Sequence, residues 1–262
     1  MTSSLPTDFL GRIIYLITNY SNSFLRGAGT TIVIAIVGTV IGCLIGFVVG
    51  IIQTIPIKAN DSKVKNFLLK VVNAILKIYV EVFRGTPMIV QAMFIYYGAL
   101  MYLQINMGMW LAAFFIVSIN TGAYMAETVR GGILSVDLGQ TEGAKAIGMT
   151  HFQTMLYVVF PQTLRNIIPQ IGNNLIINIK DSSVLSVIGT VELFYAAKQT
   201  SGAYYWYFES MTIAMFVYLV MTLITSFLLR KWEKKLDGSA NFDLATTDTL
   251  AHTSYDRNLL LP

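Results

Sequence analysis

The sequence predicts an all-α membrane protein with about five transmembrane helices, and three observations carry that expectation. Hydrophobic residues make up 55% of the 262 residues and charged residues only 12%, against about 25% charged in ordinary soluble domains. Mean hydropathy is +0.62. The charges are also unevenly spread, leaving uncharged runs of 31 residues (27–57), 42 residues (85–126) and 20 residues (210–229). A helix needs about 20 mostly apolar residues to cross the hydrocarbon core. The composition excludes intrinsic disorder, a collagen-like repeat and a disulfide scaffold. Cys43 is the single cysteine, so no internal bridge is available. The net charge of +4 points to basic cytoplasmic loops rather than to nucleic-acid binding.

The first run yields one span over 28–52, whose length and lack of a small-residue cleavage site argue against a removed signal peptide. Gly38, Gly42, Gly46 and Gly50 recur there at every fourth position, a ridge that lets another helix backbone approach closely. The stretch 62–84 carries Lys63, Lys65, Lys70, Lys77, Glu81 and Arg84, too many charges to face lipid. It reads as the first half of one long bent element, 63–103, whose apolar second half completes the crossing. A break at 104–108 separates this from a third span, 109–126. The fourth crossing is irregular. Its 166–179 piece contains Pro169, Gly172, Asn173 and Asn174, then Lys180-Asp181-Ser182-Ser183 interrupts it before a second apolar piece, 184–191. Interrupted spans of this kind are tolerated only against protein or a water-filled cavity. The fifth span, 210–229, ends in Arg230-Lys231-Trp232-Glu233-Lys234-Lys235, a basic and aromatic interfacial anchor.

The loops around 58–70 and 130–165 and the end at 230–235 are basic, whereas the other two connections contain only Lys198. The positive-inside bias therefore places the N-terminus outside and the C-terminus in the cytoplasm of a multi-pass chain. Residues 1–24 are expected as an extracytoplasmic segment, 25–236 as a single membrane domain, and 237–262 as a flexible cytoplasmic tail.

One cytoplasmic stretch, 140–161, is neither very polar nor a span. Small residues from Gly143 to Ala146 suit a short helix, and Gly148 can take the left-handed conformation that ends it. Thr150 and Gln153 have capping-box spacing for a second short helix, and Pro161 is expected to close the unit. Such a knob, continuous with a span, can receive mechanical input from a partner. An ordinary amphipathic interfacial segment is the alternative.

Glu142-Gly143-Ala144, three residues, Gly148, nine residues, then Val158-Val159-Phe160-Pro161 resembles the EAA loop of bacterial ATP-binding-cassette (ABC) importer permeases. The departures from the E-A-A-x3-G-x9-I-x-L-P pattern are Gly143, Val158 and Phe160, all small or apolar exchanges. Val82-Phe83-Arg84-Gly85-Thr86-Pro87 through Gln91, with Phe94 to Gly98, is similar to the polar amino-acid permeases of the histidine, glutamine and arginine type, as is Ala123 to Ile133. The resemblance covers about 24–235 and implies the type I ABC importer permease fold in the bacterial cytoplasmic membrane. It further implies a second permease subunit, identical or related, two cytoplasmic ATPases and an extracytoplasmic amino-acid-binding protein. Glu142, Gly143, Ala144, Gly148, His151, Phe152 and Pro161 would then couple the chain to the ATPase. The chain has no G-x-x-x-x-G-K-[ST] loop, so no cofactor is expected on it, and ATP and Mg are assigned to the partner.

The broken fourth span is the expected substrate path. Asp181 is its single acid, and burying it calls for a cation, which a substrate ammonium or guanidinium would supply. Asn173, Asn174, Asn178, Ser182 and Ser183 add neutral partners; internal capping or pairing of Asp181 is the alternative. Glu81 and Arg84 form a second candidate set, with a three-residue spacing that lets them pair, as do Glu127 and Arg130. Catalysis has little support. His151 and His252 are the only histidines, too few for a usual zinc site, so no metal is expected, and Cys43 reads as packing. Secondary transporters typically show internal repeats, absent here, and a passive channel needs no cytoplasmic knob.

Overall fold

The computed structural model describes residues 5–57 and 62–236; the tail from 237, including His252, lies outside them. The described chain is helical throughout. Helix α1 (Phe9–Gln53) is followed by α2 (Lys63–Gly85), α3 (Met88–Tyr102) and α4 (Met109–Leu134). Two short helices, α5 (Leu138–Ala146) and α6 (His151–Thr154), lead through a π turn at Met155–Val159 into α7 (Phe160–Asp181). A 3-10 segment (Ser182–Ile188), α8 (Leu193–Tyr204) and α9 (Tyr207–Leu236) complete the bundle. Among the described residues, α1, α4 and α9 are long and apolar enough to cross a membrane unaided, and α3 is a shorter apolar helix. Leu44, Phe216 and Phe227 are among many large apolar side chains left exposed, the surface expected where lipid replaces water.

The centre of the fold is the seam between α1 and α4. The four glycines of α1 face α4. A Cβ on Gly38 would sit 2.8 Å from Val117 Cβ, one on Gly42 2.6 Å from Thr121 Cβ, and one on Gly50 2.8 Å from Val129 Cβ. At Gly46 it would meet the main-chain nitrogen of Ala126 at 2.8 Å. Val117, Thr121, Met125 and Val129 also recur every four residues, so two period-four ridges interlock. Residue numbers rise together along the seam, so α1 and α4 run in the same direction. The α2–α3 connection must therefore travel back across the bundle.

Several elements depart from the sequence expectation. The first helix starts at Phe9 rather than near 28. The Asp8 carboxylate caps it by accepting from the Gly11 amide at 2.7 Å. Its early turns bury Leu16 and Phe24 against Trp206 and Ile213, and Arg12 reaches Glu209 at 3.0 Å. The third span continues to Leu134 because Gly132 presses against Ile167 of α7. The expected long element 63–103 is two helices, with Thr86 extended (φ −123°, ψ 147°) between them. Proline is the cause, since Pro87 has no amide hydrogen for the Phe83 carbonyl one turn back.

Candidate functional site

The α5–α6 unit begins where the Asp137 carboxylate accepts from the Gly139 amide at 2.6 Å, starting α5 at Leu138. Helix α5 ends in a Schellman closure: Gly148 (φ +84°) donates to Lys145 O at 3.0 Å and Met149 donates to Ala144 O at 3.1 Å. Thr150 and Gln153 then form a complete capping box, with the Thr150 amide donating to Gln153 Oε1 at 2.8 Å and the Gln153 amide to Thr150 Oγ1 at 3.3 Å. Ala144 is buried, while Glu142, Gly143, Gly148, His151 and Phe152 are exposed. Around them Ile147 (80% exposed), Phe152 (72%) and Tyr157 (68%) project apolar surface. Nothing lies within 4 Å of where a Gly148 Cβ would be, so its conformation, not crowding inside this chain, requires glycine.

Pro161 does not close the unit. The π turn ahead of it widens the helix, and Gln162 Nε2 donates to Val158 O at 2.9 Å, so α6 runs on into α7 past the proline. The unit is thereby held between α4 and α7, which are themselves packed through Gly132, Thr163 and Ile167. His151 and Phe152 also line an apolar cleft of about 480 Å³ with Ile51, Ile55, Ile133 and Leu156.

The fourth crossing breaks at Asp181, the last residue of α7, and continues as the 3-10 segment up to Gly189 (φ +84°). The expected path residues separate into two groups. Asn178 is buried and bridges three helices, with Nδ2 donating to Thr39 Oγ1 at 2.8 Å and Thr121 Oγ1 at 3.0 Å. Asn174 donates to Gln170 O at 3.0 Å, and the fully buried Ser182 donates to Ile179 O at 3.0 Å. These three are engaged inside the chain. Asn173 is exposed, and Asp181 and Ser183 are half-buried; among the described residues no side chain hydrogen-bonds Asp181, and the cation whose field reaches it is its chain neighbour Lys180.

Glu81 and Arg84 do not pair. Glu81 is exposed on α2, and Arg84 turns to α4, lying over the Tyr124 ring at 5.7 Å and 3.9 Å from Glu127. Glu127 and Arg130 do pair, Arg130 Nε reaching Glu127 Oε2 at 3.3 Å.

Two polar features went unread in the sequence. At the α2–α3 break, the two N–H groups of Gln91 Nε2 are shared among Phe83 O (2.9 Å), Thr86 O (2.9 Å) and Thr86 Oγ1 (2.8 Å), while Gln91 Oε1 accepts from Asn120 Nδ2 at 2.9 Å. Pro87 is the signal that could have found it, because it leaves the Phe83 carbonyl needing a side-chain donor. The second is Glu192, fully buried, which caps α8 by accepting from Phe194 N (2.8 Å) and Tyr195 N (2.7 Å) and accepts Tyr218 Oη at 2.7 Å.

A helical bundle of apolar helices with a broken crossing and an exposed α5–α6 knob has the make-up of a membrane-embedded transport subunit. The chain belongs to the binding-protein-dependent transport system inner membrane components, whose family profile matches residues 63–238. It is 36% identical over 167 residues to the glutamine transport system permease protein GlnP of Escherichia coli K12, covering 63% of this chain and 76% of that one. It is 37% identical over 161 residues to the arginine transport system permease protein ArtQ of Bacillus subtilis 168, covering 62% and 74%. Among solved structures, one of an amino acid ABC transporter with histidines superposes with a TM-score of 0.76 at 35% identity, over 88% of this chain and 99% of that one. The inward-facing MetNI methionine ABC transporter shares the fold, with a TM-score of 0.64 at 20% identity over 81% and 95%. The type I importer permease architecture is thus established, and the secondary-transporter and channel readings are set aside.

Proposed function

We propose that this chain is the permease through which a polar or cationic amino acid enters the cell, as the transmembrane half of an ATP-driven importer. The observation that carries the reading is the α5–Gly148–α6 unit: exposed, apolar at its tips, and continuous with α7. A cytoplasmic ATPase pair holding ATP and Mg would seat this unit, a second permease copy or relative would complete the pathway, and an extracytoplasmic binding protein would deliver the cargo. Glutamine and arginine are the cargoes in the names of GlnP and ArtQ, which supports an amino acid as substrate. Asp181 and Ser183, at the break in the fourth crossing, with Asn173 about two turns earlier on α7, are the residues best placed to meet its ammonium end. The N-terminus is assigned outside and the basic end of α9 to the cytoplasm of a bacterium.

The test is purification of the tagged chain in mild detergent with the products of its neighbouring genes. A stoichiometric ATPase, lost in Gly148→Asp, is expected. A chain that purifies alone and moves L-glutamine or L-arginine in liposomes without ATP would overturn the reading.

A further inference from the structure

Helix α2 has three faces. Leu76, Tyr79 and Val80 pack on the bundle, while Val64, Phe67, Val71, Ile75, Ile78 and Val82 are exposed along an apolar stripe. The third face carries Lys63, Lys70, Lys77 and Arg84, all exposed, at seven-residue intervals. A heptad drifts only about 20° around a helix and rises about 10.5 Å, so these four form one column, which Glu81 shares.

The column ends at a charge cluster inside the membrane. Gly46 and Gly50 pack at the levels of Met125–Ala126 and Val129, and both lie in the uncharged run 27–57. Glu127 therefore sits between two levels that hydrocarbon surrounds. It is shared by Arg84 and Arg130, and the three side chains remain 35–39% exposed. Two guanidiniums on one carboxylate leave an unbalanced positive charge. Counted over the column and cluster, five cations stand against Glu81 and Glu127 alone. Intramembrane charge of this kind faces a water-filled cavity or a partner, not lipid, and its depth sets it apart from lipid headgroups, which lie at the interface.

We infer that Arg84 and Arg130, bridged by Glu127, form an anion site on the inner half of the translocation path that takes the carboxylate of the transported amino acid. This inference rests on the amino-acid-permease reading above. An amino acid is dipolar, so a path that meets the ammonium at Asp181 must also meet the carboxylate. A guanidinium binds a carboxylate through two parallel hydrogen bonds. Lys77, about two helical turns toward the cytoplasm, extends the same field along the exit.

The experiment uses the assembled permease–ATPase complex in detergent, without binding protein, and measures equilibrium binding of tritiated L-glutamine and L-arginine against L-glutaminamide and L-argininamide, which lack the carboxylate. The wild type should prefer the acids by about tenfold, the equivalent of about 1.4 kcal/mol. Arg84→Gln should bring that ratio near one without weakening the amides, and Arg84→Lys should preserve most of it. A ratio unchanged in Arg84→Gln, or equal weakening of acids and amides, would overturn the assignment. If Arg84→Gln fails to assemble, Lys77→Gln carries the test, with a ratio lowered about threefold expected and an unchanged ratio overturning it. A wild-type transporter, complete with its binding protein, that hydrolyses ATP yet takes up neither amino acid would overturn the underlying reading, a result distinct from loss of the ratio alone.

Discussion

Replacing Gln91 by Leu tests whether the break between α2 and α3 is held by side-chain chemistry. The substitution nearly conserves volume and removes one amide group at a site that is 7% exposed. That group supplies donors to Phe83 O, Thr86 O and Thr86 Oγ1 and the acceptor for Asn120 Nδ2. Asn120 still reaches Phe83 O at 3.3 Å, so that carbonyl keeps one donor. The Thr86 carbonyl does not, because the Val90 amide that a continuous helix would offer it is bonded to Pro87 O instead. A buried polar group left unsatisfied costs about 1–3 kcal/mol, whereas side-chain hydrogen bonds in membranes average about 0.6 kcal/mol because the unfolded chain finds other partners. Thr86 itself lies at the surface, so its carbonyl is only partly stranded, and with one weakened amide the loss is about 1 kcal/mol. The assay is equilibrium unfolding in mixed detergent micelles, with Asn120→Ala completing a double-mutant cycle. The expected coupling is about 0.5–1 kcal/mol. A Gln91→Leu protein within about 0.3 kcal/mol of wild type, or strict additivity with Asn120→Ala, would refute the reasoning.

The same unfolding assay should show Gly46→Val losing about 1–3 kcal/mol, because the atom in the way is main chain and cannot rotate aside; Gly29→Ala, with nothing within 4 Å, should stay within about 0.5 kcal/mol. Glu192→Ala should cost about 2–4 kcal/mol through the lost cap and the stranded Tyr218 hydroxyl, and Glu192→Gln clearly less. In ATP-driven uptake by a normally assembled transporter, Asp181→Asn should impair L-arginine and L-glutamine alike, by about tenfold, because both carry the ammonium group assigned to it; uptake of both within about twofold of wild type would return Asp181 to a structural role.

What the sequence made legible was whatever rests on length, charge and local spacing. The uncharged runs located the crossings, Thr150 and Gln153 announced their capping box, and Gly148 its left-handed turn. These are contacts within a few residues. The glycine ridge was visible as a ridge, but its partner was not, since Val117, Thr121, Met125 and Val129 look like any apolar helix until the two are docked. Charge pairing failed for the same reason. Glu81 and Arg84 are neighbours by spacing, yet Arg84 sits nearer a carboxylate on α4 and an aromatic face beside it, and tertiary geometry decides. Pro161 misled because a proline ends a regular helix, whereas a π turn before it relieves the clash with the preceding carbonyl. Asn174 and Asn178 read as substrate groups because burial by α1 and α4 cannot be read from their own segment.

The arrangement of stiff and compliant joints limits how force from the α5–α6 unit can spread. The α1–α4 seam cannot slide by part of a turn, because each glycine faces a side chain or backbone atom closer than a Cβ would allow, and interlocked ridges move only as a pair. The interruptions lie elsewhere: the extended Thr86–Pro87 link, the π turn at Met155–Val159, and the stretch from Asp181 to Gly189. A push on α5 and α6 should therefore carry α1 and α4 as one body, with change concentrated at those three places. Amide hydrogen exchange on the assembled transporter checks this. Switching from the nucleotide-free to the ATP-bound state should alter protection at 86–91, 155–161 and 181–190, and leave 38–50 and 117–129 unchanged. Altered protection along the glycine seam would mean that α1 and α4 slide past each other, and the close contacts at Gly38, Gly42, Gly46 and Gly50 would then have to open during transport.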